Sequence, residues 1–392
     1  MYKKTLYLFN FFLFLSCSYN AAQIENEKLG KLKATHQLVL VESKKYPLDS
    51  ITAAKPVYMQ LFTDSTGCRM LTLLNNHKNA IYMYDYENSN LVKEIEYEKE
   101  GPNGILRLAG YYIKNLDSIY VYESSIRIAL TDENATVKNR IVLRETDDPT
   151  WALYNPQYSL STVTPFISYE NSYILTGFAP FSLPSVDIDN FRFSLYIDDK
   201  TNHVELYHTY PEELYGFDYN WDGAFATVVY PTISADGTLI HSFPVSHHLY
   251  LSDLKSGNYT KVYAGSNVAQ TIHSINHEPR RTPGELIKEN VLQEDSYGAI
   301  LYDSYREVYY RFFLKGIPTA TKDSPLYEKP VIVVIMDREF NYLGETLIGT
   351  EKEWNWRNSF VTMEGLNIEY IDNQDFDEEY LNLKILKLEE IK

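Results

Sequence analysis

Residues 80–105, AIYMYDYENSNLVKEIEYEKEGPNGI, decide the fold. An alternating apolar run that contains Ile81 and Met83 ends at Asp85, a short polar turn follows, and a second, largely alternating run covers 91–97. Alternation of apolar and polar residues is typical of a half-buried strand, and a Gly/Pro/Asn segment marks a loop. The stretch therefore predicts a β-hairpin followed by a crossing connector.

Units of the same plan recur on both sides of this hairpin. Two units have predicted strands at 57–62, 70–74, 80–85 and 91–97, then at 106–113, 118–122, 127–131 and 137–143. Two more have them at 166–169, 172–177, 193–197 and 203–208, then at 226–233, 238–243, 248–252 and 259–264. The fifth unit has 298–302, 307–314, 331–336 and 342–348, and the last has only 359–363, 366–370 and 380–388. The sixth unit is therefore one strand short.

Four-stranded sheets that repeat at intervals of roughly 50 to 70 residues are typical of a β-propeller. We therefore predict an all-β fold, a six-bladed β-propeller of four-stranded antiparallel blades. Residues 36–42, HQLVLVE, form a strand with no hairpin partner, and as the outermost strand of the sixth blade they would close the ring and protect its edges. Seven blades are the alternative, because the long loop at 318–330 could split the fifth unit.

Five units carry an aspartate where the third strand turns into the fourth. These are Asp85, Asp132, Asp198, Asp253 and Asp337. An aspartate at such a position accepts hydrogen bonds from backbone amides two residues on and starts the turn. We therefore interpret these carboxylates as turn formers and not as catalytic groups.

The first residues have the plan of an export signal. Lys3 and Lys4 precede an apolar run at 6–15 that is too short to span a bilayer as a helix. Phe14-Leu15-Ser16-Cys17 resembles the lipobox of bacterial lipoproteins, in which the Cys thiol is lipidated. The alternative is an ordinary signal peptide that is cleaved elsewhere. We predict a lipoprotein signal peptide at 1–16, a lipid-anchored flexible tether at 17–35 and a single propeller domain at 36–392.

Charge and cysteine content exclude further classes. A formal net charge of -17 repels phosphate backbones and excludes nucleic acid as a partner. With Cys17 carrying lipid, Cys68 has no partner for an intramolecular disulfide, and we expect it to be a small buried residue on a strand. No later stretch reaches 18 consecutive apolar residues, so the predicted contact with a membrane is through the N-terminal lipid.

Connectors between blades cross one face of a propeller toward its axis. All four tryptophans lie in predicted connectors, at 145–156, 211–223 and 349–357. Loops on a rigid scaffold carry binding residues, and an indole ring supplies a flat apolar face for a ligand. The alternative is that these rings fill the gaps between blades. The candidate binding face consists of Glu100, Asn103, Trp151, Trp221, His273, Trp354, Trp356 and Arg357.

Signals for catalysis are weak. The sequence has no His-Glu-x-x-His, no Gly-x-Ser-x-Gly and no phosphate-binding loop. Asp187-Ile-Asp189-Asn190 begins like a calcium loop but lacks its glycine and closing glutamate. The catalytic residues are therefore unknown, and we predict neither a metal nor a cofactor.

Several motifs carry a family resemblance. They are Glu100-Gly101-Pro102-Asn103-Gly104, YGAILYD at 297–303, VYYRF at 308–312 and FNYLGET at 340–346. Together they resemble the Bacteroidota lipoproteins of domain-of-unknown-function family 4221. The Gly-Pro-Asn-Gly connector is also similar to a Gly-x-Gly-Pro-Gly element of six-bladed propellers from the same bacteria. The resemblance implies a six-bladed propeller in the cell envelope, and it supplies no catalytic or ligand residue.

We therefore expect a lipid-anchored binding module of the cell envelope that holds a glycan, peptide or protein partner on its connector face. Two alternatives remain, a polysaccharide-active hydrolase or lyase with carboxylates on that face, and a passive scaffold in an envelope complex. The residues after Cys17 lack an acidic cluster of the surface-export type, which favours an outer-membrane position that faces the periplasm.

Overall fold

The computed structural model describes residues 21–52, 56–123, 127–143, 157–158, 160–179, 188, 191–221, 223–371 and 379–392. Its strands form six antiparallel blades in a ring, a six-bladed β-propeller. Inner strands of neighbouring blades contact one another around the axis. The predicted signal peptide, Cys17 and Trp151 lie outside the described residues.

Two strands precede the first blade, β1 (Gln23–Ile24) and β2 (His36–Pro47). Blade one contains β3 (Met59–Thr63), β4 (Arg69–Asn75), β5 (Ala80–Asp85) and β6 (Leu91–Glu96). Blade two contains β7 (Leu108–Asn115), β8 (Ser118–Glu123), β9 (Arg127–Thr131) and β10 (Val137–Val142). Blade three contains β11 (Gln157–Tyr158), β12 (Ile167–Tyr169), β13 (Ser172–Phe178), β14 (Arg192–Asp198) and β15 (Val204–Thr209).

Blade four contains β16 (Tyr230–Ile233), β17 (Leu239–Ser242), β18 (His248–Ser252) and β19 (Thr260–Tyr263). The short strand β20 (Ile272–His273) follows it, and blade five contains β21 (Ser296–Asp303), β22 (Val308–Leu314), β23 (Pro330–Asp337) and β24 (Tyr342–Thr350). Blade six contains β25 (Trp354–Val361), β26 (Leu366–Tyr370) and β27 (Tyr380–Glu390). The α-helices of the described residues are α1 (Glu212–Tyr215), α2 (Ala224–Thr227) and α3 (Gly284–Gln293).

Both ends of the chain close the ring, as predicted. Strand β2 pairs antiparallel with β27, from His36 opposite Glu390 to Pro47 opposite Tyr380, and completes blade six as its outermost strand. The seven-blade alternative is wrong, because β22 and β23 pair along their whole length below the long loop, from Val308 opposite Asp337 to Leu314 opposite Val331.

Tyrosines join blade six to blade one at this closure. The buried Tyr46 of β2 donates its hydroxyl to the carbonyl of Tyr86 at 3.0 Å, and its ring meets Tyr84 edge to face at 5.7 Å. The Tyr86 hydroxyl in turn donates to Oδ1 of Asn367 on β26 at 2.9 Å. Each hydroxyl that this interface buries thus has an acceptor, which removes the cost of burying it.

The aspartates of the outer turns form those turns. Backbone amides donate to the Oδ1 atoms of Asp85, Asp132, Asp198 and Asp337 at 2.7 to 3.1 Å. At Asp253 the backbone carbonyl, and not the carboxylate, accepts the hydrogen bond of the turn, from the amide of Ser256 at 3.3 Å. The interpretation as turn formers is confirmed for the first four.

Two predicted local structures are wrong. The connector expected at 349–357 shrinks to 351–353, because β25 begins at Trp354 and a register shift between Asn355 and Ser359 keeps this irregular segment in the sheet. Cys68 is exposed in the turn between β3 and β4, where its amide donates to Oδ1 of Asp64 at 3.0 Å, and it is not buried on a strand.

Residues 21–35, which we call the strap, are attached to the propeller and do not form the flexible tether that we predicted. Strand β1 pairs with β20, and Asn26 donates its side-chain amide to the carbonyls of Ser266 and Ala269 at 2.9 and 2.8 Å. Hydrogen bonds between side chains and backbone groups hold most of the strap. Such bonds require no alternation of apolar and polar residues, so the sequence gives no strand signal here. The prediction of a flexible tether is therefore wrong for residues 21–35.

Three buried histidines are neutral parts of the core. Burial lowers the pKa of His208 and of His247 to about 4, and it holds the pKa of His241 well below its usual range. His247 Nε2 lies 3.2 Å from the carbonyl of Ile24 in the strap, and its Nδ1 lies 2.8 Å from the hydroxyl of Tyr297. Because a carbonyl only accepts, Nε2 carries the proton and Nδ1 accepts from the tyrosine.

The closure predicts a large loss of stability for Tyr46→Ala. Removing this buried ring from between two blades should lower the free energy of unfolding by about 3 to 5 kcal/mol, the usual cost of deleting a large core aromatic. The exposed Ser43→Ala in the same strand is the matched control and should change it by less than about 0.5 kcal/mol. Urea unfolding followed by tryptophan fluorescence measures both, and equal midpoints for the two variants would contradict a closure held by this ring.

The buried histidines predict a loss of stability in acid. Their folded pKa lies below the ordinary value, so between about pH 6.5 and 4 the unfolded chain binds protons that the folded chain does not, and stability falls as the pH falls. Each such histidine should contribute a slope of roughly 1.4 kcal/mol per pH unit in that window.

His208→Asn tests this, because asparagine tolerates the positive φ of 57° found at this residue. Unfolding midpoints between pH 7 and 4.5 should depend on pH less steeply in this variant than in the native chain. His77→Asn, at an exposed position, should keep the native dependence. An unchanged slope in His208→Asn would contradict the assignment.

Candidate functional site

One end of the propeller axis holds a cavity of about 620 Å³. Its wall comes from the points where connectors enter the inner strands, with Arg107 and Leu108 in blade two, 228–230 in blade four, and Arg357 in blade six. Connectors cross this face of the ring, as the sequence predicts for a propeller. The inner-strand starts of several blades thus shape one cavity.

A segment of the connector into blade three forms part of this cavity wall and reaches across the ring. The Thr162 hydroxyl donates at 2.8 Å to Oδ1 of Asn358 on the inner strand of blade six, which lies opposite blade three. It also accepts at 2.9 Å from the amide of Met59 in blade one. Because one side chain bonds to two other blades, this segment crosses the axis under the cavity.

A second cavity of about 840 Å³ adjoins the first. The two share Phe178, Val228, Tyr230, Asn355 and Arg357, and we call them together the axial depression. The second cavity adds the side chain of Phe225 on α2, which is 63 % exposed, and that of Tyr327, which is 57 % exposed. Large exposed rings beside a concave surface are the kind of group that contacts ligands.

Arg357 lies where the two cavities meet. Its side chain is 46 % exposed, its Nη1 donates to Oε1 of Glu351 at 3.1 Å, and its Cζ lies 4.4 Å from the centre of the Trp356 ring. Trp356 donates its Nε1 to the same glutamate oxygen at 3.1 Å. The guanidinium is therefore fixed by an ion pair on one edge and a ring on its face, which leaves further N–H donors for a ligand.

The three described tryptophans of the predicted binding face are buried, at 1 to 7 % exposed. Trp356 stacks on Phe312 of blade five at 5.8 Å, over Gly298, where an added Cβ would lie 2.7 Å from the indole. Trp354 meets Tyr370 at 5.2 Å, and Trp221 donates its Nε1 to the carbonyl of Leu214 in α1 at 2.7 Å. These rings pack between elements, which is the second of our two interpretations, and they present no free face to a ligand.

The other predicted residues do not converge. Asn103 Oδ1 accepts from the amide of Val137 at 3.1 Å, so the connector with Glu100 and Asn103 lies on the outer strand of blade two. His273 pairs with Glu294 at 3.2 Å, beside a small cleft of about 50 Å³ that Trp221 also lines. Of the eight predicted residues, Arg357 alone lines the axial depression among those that the structure describes.

Sequence reasoning missed Arg107, Phe225 and Tyr327. Tyr327 lies in the loop at 318–330 that the sequence identified only as a break between strands, and Arg107 directly precedes β7. A search for aromatic and cationic residues at the first positions of inner strands, and in insertions on the connector face, could have found them. The position of Phe225 depends on how α2 packs, which no sequence pattern shows.

The described residues give no sign of a metal centre or a membrane span. No group of three or more His, Cys, Asp or Glu side chains comes together in the part of the chain that is described. None of its helices combines the length and the apolar character needed to cross a bilayer. The acids that line the axial depression in the described chain are Glu328 and Glu351.

Comparisons with known proteins agree with the fold. A family model described as a domain of unknown function, DUF4221, matches residues 37–347. The crystal structure of a DUF4221 member from Bacteroides vulgatus has 21 % identity and a TM-score of 0.74, over 91 % of this chain and 99 % of that one. At this identity the likeness bears on the fold alone.

Two further structures match less well. Virginiamycin B lyase from Staphylococcus aureus has 11 % identity and a TM-score of 0.46, over 94 % of this chain and 99 % of the other. BamB from Moraxella catarrhalis has 10 % identity and a TM-score of 0.39, over 89 % and 97 %. No curated protein matches the chain. Neither structural match bears on function.

Proposed function

The chain belongs to the DUF4221 family of domains of unknown function, and we propose that it is a non-enzymatic binding module whose ligand occupies the axial depression. The ligand class is a glycan, a peptide or a segment of a partner protein. The observation that carries this proposal is the pair of joined cavities, of about 620 and 840 Å³, with exposed aromatic rings beside a half-exposed arginine. Cavities of this size accommodate small ligands or the end of a chain.

Binding fits the residues of the depression better than catalysis does. Oε1 of Glu351 already accepts hydrogen bonds from Trp356 and Arg357, so this carboxylate supports the wall. Glu328 is the remaining acid of the described lining. Hydrolysis of a glycosidic bond commonly requires two carboxylates that flank it. Of the two acids in the described lining, Glu351 has an oxygen already engaged by Trp356 and Arg357, which favours a supporting role over a catalytic one.

We further propose that the protein is a lipoprotein anchored through Cys17, in the outer membrane and facing the periplasm. The lipobox-like Phe14-Leu15-Ser16-Cys17 supports the anchor. The strap adds a geometric argument, because it is bonded to the propeller from Ala22, whose amide donates to Ser274 Oγ at 2.8 Å. Five residue steps separate Cys17 from Ala22, and an extended chain covers at most about 18 Å in that distance. The anchor would hold the propeller close to the membrane surface.

The double variant Phe225→Ala and Tyr327→Ala tests the binding site. Both rings are exposed, so we expect the free energy of unfolding to stay within about 0.5 kcal/mol of the native value while binding weakens by roughly tenfold or more. Ligand-observed NMR with a panel of neutral mono- and disaccharides, uronic acids, and di- and tripeptides measures binding to the native chain and to the variant.

Phe217→Ala is the matched control, since this ring is 52 % exposed and lies outside both cavities. It should bind every hit as the native chain does. A panel without hits, or hits that both variants weaken equally, would count against the axial depression as the binding site.

Cys17→Ser tests the anchor. Expressed in a Gram-negative host, the native chain should sediment with the outer membrane and carry acyl chains at its first mature residue, and the variant should be released in soluble form. Membrane fractionation and intact-mass spectrometry measure both, and protease treatment of whole cells reports the orientation. A native chain whose mature N-terminus lies elsewhere, without acyl chains, would refute the anchor.

A further inference from the structure

The first cavity of the axial depression, which we call the axial cavity, is lined by cations although the protein is acidic. The chain has a formal net charge of -17, yet the charged residues that line the first cavity are Arg107 and Arg357, and its described lining contains no acid. Surface cations in such a chain are expected to attract neighbouring carboxylates. A cation that faces a cavity without such a partner points to a ligand of negative charge.

Arg107 is the uncompensated charge. Its side chain is exposed, and it makes no hydrogen bond or ion pair with any residue in the described ranges. Arg357 shares its charge with Glu351. Glu369 does not line this cavity, and its Oε2 accepts from the side-chain amides of the lining residues Asn355 and Asn358 at 2.6 and 2.7 Å.

Thr176 supplies an independent observation. It lines the same cavity and is 4 % exposed, and its Oγ1 is a buried polar atom without a hydrogen-bond partner in the described part of the protein. A buried hydroxyl costs free energy unless a water molecule or a ligand satisfies it. It can donate a hydrogen bond to an anionic oxygen.

We propose that the axial cavity recognises a carboxylate group, held by Arg107 and Arg357 with the Thr176 hydroxyl as a further donor. This rests on the proposed function, and it names the chemical class of the ligand. Arginine binds carboxylates through parallel N–H donors. One uncompensated guanidinium matches a single negative charge, whereas a phosphate monoester carries about two. The apolar wall at Leu108, Leu160 and Phe178 suits the organic body that bears the carboxylate.

A carboxylate of this kind can belong to an acidic sugar or to the end of a peptide, and two pairs of probes separate these sources. The first pair is the methyl glycoside of galacturonic acid, which carries one carboxylate, and the methyl ester of that acid. The second pair is N-acetyl-trialanine with a free carboxylate and the same peptide as its amide. Isothermal titration calorimetry measures each probe with the full folded chain.

We expect the acid form of one pair to bind at least tenfold more tightly than its neutral form. Arg107→Gln should reduce the affinity for the acid to that for the neutral probe, and Thr176→Val should weaken it by a smaller factor. Arg280→Gln is the control for net charge, because Arg280 is exposed and lies outside both cavities, and it should leave the affinity unchanged. Urea unfolding shows whether each variant is folded.

The inference is overturned if no acid probe binds, if acid and neutral forms bind equally, or if Arg280→Gln weakens binding as much as Arg107→Gln. Neutral probes that bind equally well and depend on Phe225 and Tyr327 would leave the proposed binding function standing and remove only the carboxylate. The pair that shows the expected difference identifies the source.

Discussion

The pairing of β2 with β27 is the constraint on which the rest of the structure depends. A propeller buries each blade against two neighbours, so a gap in the ring would expose two apolar faces and two strand edges. Here the N-terminal strand fills the last position of blade six. The residues that flank the pairing also contact each other, because the amide of Ile391 donates to the carbonyl of Thr35 at 2.8 Å, and the amide of Thr35 donates to the carbonyl of Leu343 in blade five at 2.7 Å. Closure therefore joins the N-terminal strand, the C-terminal strand and blade five.

A closed ring fixes the positions at which connectors meet, and this gives the axial depression its shape. Thr162 reaches from the connector of blade three to Asn358, whose Nδ2 also donates to the carbonyl of Pro56 at 2.6 Å. The connector into blade three is thus joined to the inner strand of blade six, and that strand is joined to the segment that leads into blade one. A cavity whose walls belong to several blades of one rigid ring can hold Arg357 and its neighbours in place before a ligand arrives, which lowers the entropy lost on binding.

The sequence predicted the repeats, the blade number and the closing strand, because alternation and turn chemistry are local properties. Glycine, asparagine and aspartate mark turns wherever they occur, and Asp85 illustrates this. The role of Trp354 and Trp356 was beyond such reasoning. Their strand contains a register shift, so its residues do not alternate as those of a regular strand do. The sequence also does not show whether a tryptophan near a loop faces solvent or packs on another ring, as Trp356 does on Phe312. Arg107 and Thr176 act only through a cavity that the fold creates.

Polar groups between blades four and five show how the strap becomes part of the propeller. The buried Arg311 donates to Ser242 Oγ at 3.0 Å and to the carbonyls of Ala264 and Ser246 at 3.1 and 2.9 Å, and burial lowers its pKa to about 10, so it stays charged. Its Cζ lies 3.9 Å from the ring centre of Tyr297, whose hydroxyl donates to His247, and His247 donates to the carbonyl of Ile24 in the strap. These hydrogen bonds and the contact of Arg311 with the Tyr297 ring connect the core to the strap without a break. An anchor placed just before the strap would therefore be tied directly to the core of the propeller.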